Sequence, residues 1–521
     1  MMENSTHRAL LLPEIVHDIL VHVDQRTLVH FTSFVNRLFN VETSAVLWRN
    51  PFFDVPTVLD SVEDIERGQH LANRIQSMTL RMNILNEDQF DNLMRFSYPS
   101  LEHLKVVDLE RSEEPVNIER LFEKIPNLLY YKDSNPTGAT LSMLEHCCPK
   151  LTRIELDERD KMTLDSTLSI FHSHPHLQFI SLRTPWLEAD QADFLLRNIM
   201  QYTNPIELTV GRGPVTVETA KWLRDREGID KICRLSTKAG FRVMMLLLPA
   251  MVSLTDLTIR VFGQFDVVEL FWALATHQKL RRLTLNNVLL ESHLQRMVHD
   301  SLVLSMIQKL EHLDLEVTSG AASTLPSIFQ TRGQSLRSLS LTISYEDRET
   351  GDAHIIQFYK GLAEMNPSGL QKLTIQQPRQ STVNWNELAN CVTSLPSLKS
   401  LVIHLGWLPR ASVVPDTMWR ALGSNKLVEH IWLDHARLNI DLWTNINTPL
   451  FPELLFLRID SFSSTSEADG CSHAEVVMRH CPNLRALRCN GISEYSTAIR
   501  RMISERDARP QCYQIWDEDY T

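Results

Sequence analysis

The chain has 521 residues, 43% of them apolar and 22% charged, a globular composition with material for a large core. Its net charge of −12 argues against a phosphate-binding surface, since nucleic-acid binders carry a basic stripe, and the partners expected are therefore proteins. Eight cysteines, with Cys147 and Cys148 adjacent, make no disulfide framework, and no apolar run reaches the roughly eighteen residues that a membrane span needs.

Residues 1–10 carry no pattern and are expected to be disordered. Pro13 and Glu14 interrupt the short apolar run at the N-terminus, so no secretory leader is expected and the compartment is cytosol or nucleus. A small helical unit follows over residues 11–54. Leu12, Ile15, Ile19 and Val23 share one helical face, with Pro13 at a first-turn position and Glu14 complementing the helix dipole. Asp24 is placed to start a second helix with the stripe Leu28, Phe31, Val35 and Leu38, and Leu47 with Trp48 closes the unit. So small a unit leans on something else, and covering the first apolar face of what comes next is one way to do so.

After a linker or helical cap over 55–72, one phrase returns through residues 73–506. "CPKLTRIEL" at Cys148, "HPHLQFISL" at His174, "HQKLRRLTL" at His277, "LPSLKSLVI" at Leu395 and "CPNLRALRC" at Cys481 share an aliphatic at spacing x-x, then x. A single such match means nothing in a chain this aliphatic; the spacing is informative. The first aliphatics are Ile75, Leu101, Leu151, Leu177, Leu254, Leu280, Leu310, Leu336, Leu370, Leu398, Val428, Leu454 and Leu484, most neighbours roughly 26 to 30 residues apart. Weaker copies start at Pro126, Asn204 and Lys231. Between copies the period changes from two to 3.6, as in "DVVELFWALATHQ" from Asp266, so each unit reads strand, loop, helix, and a proline or polar pair stops the helix. One unit cannot bury its face alone; about fifteen stacked units can. Residues 507–521 form an acidic, aromatic tail whose Ile515 and Trp516 are expected to cap the last unit.

This pattern resembles the leucine-rich repeat family in its long variant, with the consensus asparagine mostly missing, as at Val288 after "LRRLTL". The resemblance implies an α/β solenoid, a curved horseshoe with parallel strands on the concave side and helices on the convex side. The front end resembles the F-box: "LPEI" at Leu12, Pro13, Glu14 and Ile15, then Ile19 and Leu20, then Val35 to Phe39, then Leu47, Trp48 and Arg49. It departs at Asn36 and Phe39 and lacks one residue between proline and glutamate.

Together the two resemblances imply a substrate receptor of a Skp–cullin–F-box ubiquitin ligase, catalysing nothing itself and needing no cofactor. Its adaptor-binding residues would be Leu12, Pro13, Glu14, Ile15, Ile19, Leu20, Leu28, Val35, Phe39, Leu47 and Trp48, docking a Skp-type adaptor and through it a cullin. The alternative is an interaction scaffold whose first helices only cap the array. In each strand the leucines face the core and the residues between them face the concave side. There the last units present His430, Trp432, Asp434, Phe456, Asp460, Arg458 and Arg488, a mix of tryptophan and arginine suited to gripping a protein substrate. Arg153 with Glu155, and His312 with Asp314 and Glu316, read as solvated ladders.

Other candidates fail. "GRGP" at Gly211 lacks the lysine and spacing of a phosphate loop. The alternating His172, His174 and His176 are read as a helix-to-strand corner, because His174 occupies the slot held elsewhere by Cys148, Leu395 or Cys481. Cys471, His473, His480 and Cys481 fit no common zinc spacing.

Overall fold

The computed structural model describes residues 13–21, 37–51, 54–82, 85–107, 117–157, 164–184, 194, 197, 206–210, 216–225, 229–262, 266–329, 335–345, 348–377, 383–405, 412–444, 446, 448–464, 470–489 and 494–507. The chain forms two compact units, Met1–Lys238 and Ala239–Thr521.

Strands follow the chain through the first unit as β1 Ser77–Arg81, β2 His103–Val107, β3 Tyr130–Asp133, β4 Arg153–Asp157, β5 Phe179–Thr184, β6 Ile206–Val210 and β7 Ile232–Gly240, the last two residues of β7 lying past Lys238. Each pairs in parallel with the next, with Met78 opposite Leu104, Leu104 opposite Tyr131, Tyr131 opposite Ile154 and Ile154 opposite Ile180. The weaker copies of the sequence phrase are β3, β6 and β7.

The second unit continues with β8 Asp256–Phe262, β9 Arg282–Leu289, β10 His312–Thr318, β11 Ser338–Ser344, β12 Lys372–Gln377, β13 Ser400–Leu405, β14 Ser412–Val413, β15 His430–Leu433, β16 Ala436–Asn439, β17 Phe456–Ile459, β18 Ser461–Ser463 and β19 Ala486–Cys489. Its main strands run β8 to β13, then β15, β17 and β19, again parallel and in chain order. A helix lies between most successive strands, so this is the α/β leucine-rich-repeat solenoid type of fold. A feature the sequence reading did not foresee is a second, three-stranded parallel sheet of β14, β16 and β18.

The period works through burial. All thirteen leading aliphatics, from Ile75 to Leu484, are at most 5% exposed, and the strands alternate buried and open residues, as in β2 and β11. One backbone bond then ties each rung to the one before. The N–H of Glu102 donates to the Gln76 carbonyl at 2.9 Å, Leu129 to Glu102 at 2.8 Å and Thr152 to Leu129 at 2.8 Å. In the second unit Arg281 donates to Thr255, Glu311 to Arg281, and so on to Arg485, which donates to Leu455 at 2.8 Å. Helix starts are capped by side-chain acceptors, among them Asn86, Thr137, Thr216, Asp266 and Asp300.

The corner histidines are structural ties between rungs. His174 is 1% exposed, its ring nitrogens each 3.0 Å from a carbonyl oxygen, one of Ile170 and one of Cys148 in the preceding corner. His277 faces the Leu248 carbonyl at 2.8 Å, His480 the Trp443 carbonyl at 2.9 Å, and the Asn425 amide donates to the Leu395 and Leu398 carbonyls. His172 and His176 stand exposed on either side.

At the front, helix Pro13–Val21 packs on helix Arg37–Arg49. Val16 and Leu20 are fully buried, with Leu38, Phe39, Val46 and Leu47 half-buried around them. Helix Arg37–Arg49 then joins the array: the Gln76 N–H donates to the Arg49 carbonyl at 2.8 Å, so Arg49 stands where a preceding rung would. Behind it, helix Ile65–Ala72 approaches so closely that a Cβ on Gly68 would lie 2.5 Å from the buried Phe96 ring.

Candidate binding faces

Among the described side chains of the first helix the exposed ones are Pro13, Ile15, Asp18, Ile19 and Val21; Ile15 is 37% and Ile19 43% exposed, and Val41 on the partner helix is also exposed. Isoleucines four apart on a helix share a face, so Ile15 and Ile19 form an open apolar stripe beside the buried pair Val16 and Leu20. This corrects the expectation for Leu20. It is a core residue that holds the two helices together and has no surface to offer an adaptor. Phe39, Leu47 and Trp48 are half-buried. Leu12, Leu28 and Val35, like the Glu14 side chain, lie outside the described residues, as do residues 211–214 and the tail from 508.

In the second unit the strand register brings the sequence candidates together. Trp432 lies between Val402 and Arg458 on neighbouring strands, and Arg458 opposes Arg488. Trp432 is half-buried because its surroundings hold it. The Arg458 guanidinium sits 4.1 Å from the indole centroid, and the His404 ring meets the indole edge-on at 4.5 Å. The indole N–H donates to Asp434 at 2.6 Å. The other Asp434 oxygen is 2.8 Å from His404 Nδ1, and Arg458 Nε stands 3.6 Å from the carboxylate. Burial works to raise the Asp434 carboxyl, but the hydrogen bonds from His404 and Trp432 and the charges of His404 and Arg458 outweigh it and hold it below the usual range. His430 stacks obliquely near Phe456, ring centroids 6.2 Å apart, and burial lowers its pKa.

Beside Trp432 the face is hollow. Strands β11, β12 and β13 present Ser338, Ser340, Thr374 and Val402, all small, and the space they leave is a cavity of about 250 Å³ bordered by His312, Asp314, Lys372, His404 and Trp432. Thr374 lines it, but its hydroxyl is turned away into the protein, buried and with no hydrogen-bond partner. Burial pushes the Lys372 ammonium down and the Asp314 carboxyl up, so it disfavours the charge on both. Asp314, read from sequence as part of a solvated ladder, is therefore a cavity wall. Lys372, Thr374 and His404 were missed; the available signal was the run of small residues at outward positions flanked by large ones.

The first unit carries a contrasting cluster. Arg153 stacks over Phe179 at 4.1 Å and Tyr130 at 5.3 Å, and Glu155 takes both Arg153 at 2.8 Å and Lys132 at 3.2 Å. Here charge and counter-charge close on each other, as a structural ladder does.

No protein-family model matches the chain, and no curated protein matches its sequence. Among solved structures it is similar to the complex of Rad7 and Elc1 in yeast, at 13% identity over 86% of this chain and 87% of that one, TM-score 0.37. It is also similar to a leucine-rich-repeat protein of Leptospira interrogans, at 12% identity over 82% of this chain and 94% of that one, TM-score 0.28. The repeat fold itself is set by the strand order and register.

Proposed function

We propose that this chain is the substrate-recognition subunit of a cullin-RING ubiquitin ligase of the Skp–cullin–F-box type, working in the cytosol or nucleus. The observation that carries this reading is the division of the first helix. Val16 and Leu20 make the core of the helical unit while Ile15 and Ile19, inside the F-box-like phrase, stay open. A helix that served only as a cap would turn its apolar residues inward; this one keeps a stripe for a partner. The direct bond from Gln76 to Arg49 couples that partner to the first rung, and the repeats hold a protein substrate near the ubiquitin-charged enzyme. The gain is one of proximity and orientation.

The same bond also supports a second reading, a non-ligase scaffold in which the helices cap the array. A pull-down of the full chain on a Skp adaptor separates the two. Ile15→Asp with Ile19→Asp alters exposed positions and keeps the core, so the variant is expected to melt with the parent and to lose the adaptor. If neither parent nor variant binds, the capped scaffold stands and the ligase reading falls.

A further inference from the structure

On the outward face of β8 and β9 and just past it, three large apolar side chains stand open to solvent: Phe262 is 46%, Val288 40% and Leu290 41% exposed. The register explains how they come together. Leu285 pairs with Ile259 on β8, and Asn287 then bridges Val261 on the same strand, accepting its N–H at 2.6 Å and donating to its carbonyl at 2.8 Å. Phe262 and Val288, the next residue on each strand, therefore stand side by side. Against β10 the same stretch is bulged: Leu285 opposes Leu315 but Val288 opposes Glu316, which leaves Asn286 and Asn287 without opposite residues. A bulge re-aims the side chains beside it, and here it sets Val288 between Phe262 and Glu316.

Two charges flank this apolar row. Arg260 is exposed two residues before Phe262, Glu316 is half-buried beyond Val288, and neither makes an ion pair or hydrogen bond among the described residues. The other charges near them are closed. Asp256 meets Arg282 at 3.9 Å, Asp266 meets Arg296 at 2.9 Å, the Glu291 carboxylate takes the Gln295 amide at 2.8 Å, and Asp314 faces Lys372. An open apolar row with an unpaired cation on one flank and an unpaired anion on the other is complementary to a partner that carries the reverse.

We infer that this face docks an extended segment of a partner protein in which an apolar residue sits between an acidic and a basic one. The acid meets Arg260, the apolar side chain lies on Phe262 and Val288, and the base meets Glu316. The spacing follows from the sheet. Arg260 and Glu316 are two strands apart across β8, β9 and β10 and one pleat apart along them, which at ~4.8 Å per strand and ~6.8 Å per pleat is about 12 Å. In an extended segment alternate residues share a face and four steps cover about 14 Å, so acid, apolar residue and base fall at alternate positions. The inference holds whether or not the chain serves a ligase, and its residues are apart from the Trp432 cluster.

The test is fluorescence anisotropy of labelled twelve-residue peptides on the full chain. Each peptide has Phe at the centre of a Ser and Gly frame, flanked two positions away by Asp and Lys in either order, by two Asp, or by two Lys. Phe262→Ser and Arg260→Glu alter exposed positions, and their thermal melts are expected to match the parent's. Support is tightest binding by a mixed peptide, roughly fivefold or more over both same-charge peptides, that is lost in Phe262→Ser and passes to the two-Lys peptide in Arg260→Glu. Equal binding across the panel, a same-charge peptide binding tightest, a preference that either variant leaves unchanged, or no binding at all overturns the inference.

Discussion

Two clusters of the same residue types behave differently. In the first unit Glu155 collects Arg153 and Lys132, and Arg153 lies over Phe179; in the second Asp434 collects His404, Trp432 and Arg458, and Arg458 lies over Trp432. The chemistry is nearly shared. The neighbours differ, because β11, β12 and β13 carry small residues beside the second cluster and so leave it facing a hollow. An aromatic braced by arginine becomes a candidate anchor when an adjacent space lets a partner reach its side.

The largest expected effect comes from removing the hub. Asp434→Ala strands the Trp432 indole N–H and is expected to cost about 2–3 kcal/mol in urea unfolding, whereas Glu155→Ala, whose partners are half-exposed, costs about 1 kcal/mol or less. Equal losses would erase the distinction between the clusters. Next, Trp432→Ala should weaken peptides selected from a random display library on the full chain by tenfold or more, about 1.4 kcal/mol, while Phe179→Ala leaves their affinity unchanged. Fluorescence anisotropy reads both.

A smaller effect is expected on acidification. Asp434 titrates lower in the folded protein than in the unfolded chain, so its contribution is fully present above the unfolded value near ~4 and is lost as pH falls through the folded value. Melting temperatures between neutral pH and about pH 3 should fall less steeply for Asp434→Asn than for the parent; parallel curves would remove Asp434 from the account. Smallest is Thr374→Val, which deletes the buried, unpartnered hydroxyl and should leave stability in urea unfolding unchanged or raise it by about 0.5–1 kcal/mol. A clear loss of stability would mean that the hydroxyl has a partner in the free protein.

Much of this architecture was legible because a repeat writes its burial into a local rhythm. The aliphatics of each phrase, from Ile75 to Leu484, are the core, and the slot of His174 is a corner tie. Trp432, Asp434 and Arg458 were also legible as a group, since strand alternation alone places them on one face. The first helix was less so. In "PEIVHDILV" both Ile15 with Ile19 and Val16 with Leu20 are apolar pairs four apart, and periodicity cannot say which pair meets helix Arg37–Arg49.

By itself, then, the sequence determined the strand, loop and helix rhythm and the side of each strand that is buried, because both follow from residues within one repeat. Only the tertiary structure decided that Leu20 is core, that β14, β16 and β18 form a second sheet, and that Lys372, Thr374, His404 and Trp432 share one hollow. The physical reason is separation along the chain. Side chains roughly 30 residues apart become neighbours only through the register of adjacent strands, and a cavity is a property of what several strands together leave unfilled.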